Sequence, residues 1–154
     1  MIPMDPTLAA ERRRWREAGR RVVLTNGCFD ILHPGHLTLL EAARSEGDVL
    51  VVAINSDASV ARIKGETRPL VDQEERREVL LALEAVDTVV IFEEDTPIEV
   101  VRSLVPDVLV KGADWGPEDI VGREEVQSAG GRVVRVPLLQ GRSTSEIVAR
   151  IRRS

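Results

Sequence analysis

The sequence predicts an α/β protein, a doubly wound parallel sheet with helices on both faces, folded as a single domain. Three observations carry this expectation. Short apolar runs rich in β-branched residues recur at 21–25, 48–54, 87–92, 107–110 and 132–136. Stretches with helical punctuation separate them, so strands alternate with helices along the chain. After Asp48 the run at 48–54 is continuously apolar, as expected of a strand covered on both sides.

Composition narrows the class. The chain has 154 residues, of which 43% are hydrophobic and 31% charged. That suffices for one domain with a real core and is too few for two. The net charge of -5 argues against a general nucleic-acid binder. The basic runs at 12–14 and 150–153 read as solvated helix faces. A single cysteine excludes an intramolecular disulfide and fits a reducing cytoplasm. No apolar run is long enough to span a bilayer, and no hydrophobic signal core precedes the charges that begin at Glu11.

Each element has its own signal. Asp5 and Pro6 read as an N-cap and first helical residue, opening a helix that stops at Gly19. Residues 1–20 are thus expected as an N-terminal helix and 21–154 as the main domain. After the first strand, Leu37, Leu40 and Ala43 share a helical face, with Gly47 as the stop. Asn55-Ser56-Asp57 ends the second strand. One or two helical turns at 58–63 lead to a loop at 64–71, broken by Gly65 and Pro69. Asp72 with Glu75, and Thr96 with Glu99, look like capping boxes for helices reaching about 84 and 104. A helix at 122–129 ends at Gly130-Gly131, and the last helix begins near Ser143.

The polar residues of interest follow the C-terminal ends of strands, where open α/β sheets bind ligands. His33-Pro34-Gly35-His36 sets the only two histidines three residues apart at a helix start. Gly35 permits close backbone approach, and the helix terminus supplies N–H groups and positive potential suited to phosphates. The plain alternative is a surface His33 and a helix-satisfied His36. A zinc site lacks partners at ligand spacing. Ser143-Thr144-Ser145-Glu146 fits both a capping box and a phosphate cradle. Lys64 reads as a solvated loop cation or as a clamp on a transferring phosphoryl group. Arg76 reads as an exposed ion pair with Glu74 or Glu75. Lys111-Gly112-Ala113-Asp114-Trp115 offers a cation, an acceptor and an aromatic face for a base or a sugar. Cys28 has no adjacent base and reads as a small packing residue.

Taken together, these residues resemble the cytidylyltransferase-like nucleotidyltransferases. Within them the chain looks most like the adenylyltransferase half of the heptose kinase/adenylyltransferases. The matching stretches are TNGCFDILHPGH, NSDASVARIKGETRP, ALEAVDTVVIFEEDTP, PDVLVKGADW and GRSTSEIVARI, spread over 22–151 in the family's order. HPGH alone is weak, because class I aminoacyl-tRNA synthetases share its form; the five together are specific. Leu138 stands where glycerol-phosphate cytidylyltransferases carry an arginine, and Gly112-Ala113 where heptose enzymes have two glycines.

The resemblance implies a Rossmann-like sheet of five strands in the order 3-2-1-4-5. It also implies transfer of AMP from ATP, carrying Mg2+, to a sugar 1-phosphate such as D-glycero-β-D-manno-heptose 1-phosphate. His33, His36 and Lys64 would be catalytic. Thr25, Asn26, Gly27, Cys28, Phe29, Lys111, Gly112 and Asp114 would contact the nucleotide, with Ser143, Thr144 and Ser145 at its pyrophosphate end. Asp30, Asp57, Arg76 and Trp115 would contact the acceptor, with no protein-held metal. Relatives of this kind often dimerise, which leaves a homodimer open, and a separate heptose kinase in the same pathway would supply the acceptor; the acidic balance and short apolar runs point to no nucleic-acid or membrane partner.

Overall fold

The computed structural model describes residues 6–114, 116–137 and 143–154. Among them run α1 (Pro6–Glu17), β1 (Val22–Gly27), α2 (Pro34–Arg44), β2 (Val49–Asn55), α3 (Asp57–Lys64), α4 (Gln73–Leu81), β3 (Thr88–Phe92), α5 (Ile98–Leu104) and β4 (Val108–Gly112). A single 3-10 turn (Pro117–Asp119), α6 (Arg123–Ser128), β5 (Arg132–Val136) and α7 (Thr144–Arg153) follow. The strands form one parallel sheet in the order β3-β2-β1-β4-β5. The strand order reverses between β1 and β4, as expected.

Strand residues alternate between two cores. Leu50, Val52 and Ile54 of β2 meet Leu40 and Ala43 of α2 and Leu80 of α4 on one face. Val49, Val51 and Ala53 meet Leu8 of α1, Val101 and Leu104 of α5 and Val126 of α6 on the other. All seven residues of β2 are buried, which explains its unbroken apolar run. At the opposite end from the polar loops, aspartates satisfy strand N–H groups that would otherwise lack partners. Asp48 accepts from Arg21, Asp87 from Leu50 and Asp107 from Val22, at 2.7–2.8 Å.

Several local expectations change. α2 begins at Pro34, which leaves Leu37 40% exposed while Leu40 and Ala43 are buried. Gly47 does not end that helix; Ser45 caps it in a right-handed conformation. The glycine is needed because a Cβ there would lie 2.7 Å from Val23 and 2.9 Å from the Arg21 carbonyl. Thr96 and Glu99 form no capping box: α5 starts at Ile98, its N-cap is Pro97 with no side-chain bond, and Glu99 pairs with Arg102 instead. The Asp72 cap does form, accepting from the Glu75 N–H at 2.9 Å. Among the described residues no helix is long and apolar enough to cross a membrane. Asp5 lies outside them.

Arg12 binds α1 to the sheet. Its buried guanidinium donates from Nε to the Leu104 carbonyl (2.9 Å) and from Nη2 to that of Val105 (2.7 Å), where α5 ends in a left-handed turn. Arg12→Met should therefore cost about 2 kcal/mol, as for loss of charged hydrogen bonds to buried carbonyls. A thermal melt unchanged from wild type would show that Leu8 alone holds the helix.

Candidate active site

The C-terminal ends of β1, β2 and β4 open into a crevice of about 570 Å³. Its wall brings together residues far apart in sequence: Asn26 to Asp30, His33, His36, Lys64, Lys111, Asp114 and Ser143 to Ser145. Thirteen of the expected site residues are thus gathered in one place.

The histidine loop is built by a tight turn. Phe29 takes a left-handed φ of 50°, an uncommon conformation for a side chain of its size. Its buried ring lies 2.9 Å from where a Cβ on Gly27 would sit, so only glycine fits there. His33 is the N-cap of α2: its Nδ1 accepts from the Gly35 N–H (3.0 Å), and its own N–H donates to Nδ1 of His36 (3.3 Å). Histidines thus form the reciprocal cap usually made by Ser and Glu. The two rings stack with centroids 3.9 Å apart, and Phe29 supports His36 at 5.1 Å. With each Nδ1 accepting, the hydrogen-bond network assigns the neutral ring proton to Nε2. Burial, and then the charge of His33, pull the His36 pKa down from 6.5 to about 4. Near neutral pH His36 is therefore an uncharged donor.

The other walls are equally determined. Lys111 reaches across the strand reversal to the backbone and side-chain oxygens of Asn26, both at 3.3 Å, and burial lowers its pKa against the opposing pull of Asp114. Ser143 accepts from the Glu146 N–H at 3.0 Å and also faces the crevice, so capping and lining coincide. The Thr144 hydroxyl donates to the Ile31 carbonyl (2.9 Å) and ties α7 to the histidine loop. Lys64 is exposed at the end of α3, before Gly65 with its φ of 107°. Burial pushes the Cys28 thiol up, with Lys64, Arg76 and Lys111 opposing, which disfavours a reactive thiolate.

Four expected ligand contacts lie elsewhere. Thr25 is fully buried and donates to the Val110 carbonyl at 2.9 Å, stitching β1 to β4. Gly112 is buried in β4 opposite Val136. Arg76 is neither an exposed ion pair nor a crevice residue; its side chain is buried within the fold. Nε donates to the Val71 carbonyl (2.9 Å), Nη1 to those of Cys28 (2.7 Å) and Asn55 (2.8 Å), and Nη2 to Asp57 (2.9 Å). Asp57 is thereby committed to Arg76 and is also absent from the lining. Trp115 and Leu138 lie outside the described residues.

Asp30 lines the crevice, yet its side chain is only 2% exposed. Burial alone would raise its pKa. The N–H groups of Leu70 and Val71, at 2.9–3.0 Å, and Arg68 outweigh burial and hold the carboxyl below its ordinary value. Arg68, in the same wall, drew no attention as sequence. Its one signal was a second cation four residues after Lys64 in a glycine- and proline-broken loop. Among the described residues no three His, Cys, Asp or Glu side chains converge to hold a metal ion.

The cap makes a pH prediction. An unfolded His36 binds its proton near 6.5 and the folded one near 4. Its contribution to stability is complete above the first value and is lost as pH falls through the second. Ring-proton NMR should give a His36 midpoint near 4, with melting temperature falling across the same window. A midpoint near 6.5 would contradict the buried acceptor role of Nδ1.

The sequence profile of the cytidylyltransferase-like family matches residues 24–150. The chain is 59% identical over 136 residues to Bifunctional protein HldE of Rhodopseudomonas palustris, covering 88% of this chain and 28% of that protein. It is 57% identical over 152 residues to its namesake in Bradyrhizobium diazoefficiens, covering 98% and 31%. The chain thus spans under a third of the length of these relatives. Among solved structures it is similar to the lipopolysaccharide core biosynthesis protein from Thermoplasma volcanium, with a TM-score of 0.68 at 28% identity, covering 79% of this chain and 100% of that one. The profile match takes in β2 to β5, all but the first two residues of β1, and every described wall of the crevice, and on that ground the chain belongs to the cytidylyltransferase-like family.

Proposed function

We propose that the chain is an adenylyltransferase that moves AMP from MgATP to a sugar 1-phosphate, giving a nucleotide sugar and pyrophosphate. The observation that carries this is the convergence, in one crevice, of an uncharged imidazole donor, two lysines and the capped start of α7. The donor set suits a chain of phosphates passing from one wall to the other. The resemblance of the five sequence stretches to heptose adenylyltransferases supports D-glycero-β-D-manno-heptose 1-phosphate as the acceptor. The same reading draws that acceptor from a separate heptose kinase, sets the reaction in the cytoplasm and pairs the chain with a second copy of itself.

An oxygen of the acceptor phosphate attacks the α-phosphorus of ATP. The new O–P bond forms as the bond to the bridging α,β-oxygen breaks, and pyrophosphate leaves with the electron pair. No enzyme nucleophile is needed, so the work is positioning and charge stabilisation. The His36 Nε2–H donates to the reacting phosphates without itself losing a proton. Lys64, on an exposed helix end before a flexible glycine, moves in once ATP is seated. Lys111 and Asp114 flank the nucleoside, and the start of α7 receives the leaving pyrophosphate. ATP would be taken as its magnesium complex, in which the ion would offset part of the phosphate charge.

Two variants test these roles. Lys64→Ala should lose turnover by on the order of 100-fold, while ATP affinity by titration calorimetry weakens only modestly, because its contact belongs to the transition state. Equal losses in both would reassign Lys64 to ground-state binding. Ser143→Asp keeps a good cap, so the melt should hold, but its charge should raise KM for ATP sharply. Unchanged ATP kinetics would leave capping as the whole role of Ser143. The function itself is tested by pyrophosphate release over a grid of ATP, CTP and sugar phosphates. ATP with the heptose phosphate should lead; silence across the grid would favour a nucleotide-binding module.

A further inference from the structure

Arg68 is the crevice cation that the roles above leave without work. Its side chain is 14% exposed, and Nε donates to Asp30 Oδ2 at 2.9 Å. Asp30 is itself held by the N–H groups of Leu70 and Val71. That bond fixes the plane of the guanidinium through one nitrogen only. Among the described residues neither terminal nitrogen of Arg68 has a hydrogen bond or ion pair. Another carboxylate of the same wall, Asp95, is taken by Arg62 at 2.8 Å. A planar fork of N–H donors, pre-oriented and mostly withdrawn from water, matches two oxygens of a phosphate.

The position of Arg68 indicates which phosphate. It stands on the α3–α4 connection, which follows β2. Lys111 and Asp114 follow β4, and Ser143 to Ser145 follow β5, on the other side of the β1 histidine loop. An in-line displacement needs the incoming oxygen and the leaving pyrophosphate on opposite sides of the α-phosphorus. With pyrophosphate at α7, the incoming group enters from the β2 side.

We propose that Arg68 binds the acceptor phosphate, its terminal nitrogens taking the two non-attacking oxygens while Asp30 holds the guanidinium flat. The assignment rests on the adenylyl-transfer reading, and the test separates the two. Calorimetric titration with D-glycero-β-D-manno-heptose 1-phosphate needs no turnover. Arg68→Gln should weaken its binding by about tenfold or more, as for loss of a charged bidentate contact. ATP affinity should stay within about twofold, and the melt should still show a folded protein. Arg68→Lys keeps the charge without the fork and should recover only part of the loss. In pyrophosphate release, KM for the sugar phosphate should rise in the same order. Unchanged sugar-phosphate binding in Arg68→Gln, with or without a lower melt, would reduce Arg68 to a partner of Asp30. A loss falling on ATP instead would overturn the assignment to the acceptor, as would a wild type that binds no sugar phosphate. Binding that follows Arg68 in a protein that releases no pyrophosphate would uphold this site and sink the transfer reading.

Discussion

One buried guanidinium holds the crevice in shape. Arg76 sits on α4, yet its hydrogen bonds reach the loop after β1 at Cys28, the end of β2 at Asn55, the start of α3 at Asp57, and the 65–72 connection at Val71. These are segments from which several crevice-lining side chains project, among them those of His33, His36, Lys64 and Arg68. Three of the four partners are carbonyl oxygens, which would be left without a donor were the arginine lost. Removing one member of such a buried charged network typically costs about 3–5 kcal/mol. That is a large share of a domain's net stability of about 5–15 kcal/mol. Asp30 repeats the arrangement with opposite charge, gathering Arg68, Leu70 and Val71 onto the histidine loop. Between them the two charges fix the walls whose residues are asked to meet a substrate.

The histidines show why capping and catalysis need not be alternatives. Each ring spends Nδ1 on the α2 terminus, a bond typically worth about 1 kcal/mol to a helix. The same bond sets the tautomer and aims the ring, so the opposite nitrogen becomes a preorganised donor. Loss of one such donor at a developing charge typically costs about 3 kcal/mol of barrier. Under the proposed transfer, stability would therefore depend on these residues less than reactivity would. Ser143 follows the same logic at α7, with one hydroxyl serving the helix and facing the crevice together.

Much of the fold was legible because the strands are short β-branched runs and β2 is apolar on both faces. Strand order came from family resemblance, since nothing in the periodicity of Val22 to Leu24 names its neighbours. The misplaced residues share one cause: polar side chains were expected to face ligand or water. Thr25 closes an apolar run and is spent inside the sheet on Val110. Arg76 lies four residues before Leu80, and that spacing puts both on the buried face of α4. A helix-face count would have found it; the assumption that arginine is solvated hid it. Thr96 and Glu99 carried the spacing of a capping box, but Pro97 takes the N-cap position and α5 starts one residue later. Arg68 had only its spacing from Lys64 to mark it, because the bond that orients it comes from Asp30, 38 residues away in sequence.

What would join these parts, under the proposed adenylyl transfer, is a single displacement at phosphorus with no covalent enzyme intermediate. Cys28, the one thiol in the crevice, is held protonated by burial, and the histidine Nδ1 atoms are already engaged. The stereochemical course at the α-phosphorus tests this most directly. Transfer from ATP made chiral at that centre by sulfur substitution, with the nucleotide-sugar product analysed by phosphorus NMR, reports whether one or two displacements occurred. Inversion of configuration is the expected result. Retention would mean that the adenylyl group passes through a residue of the protein, and would contradict catalysis by position and charge alone.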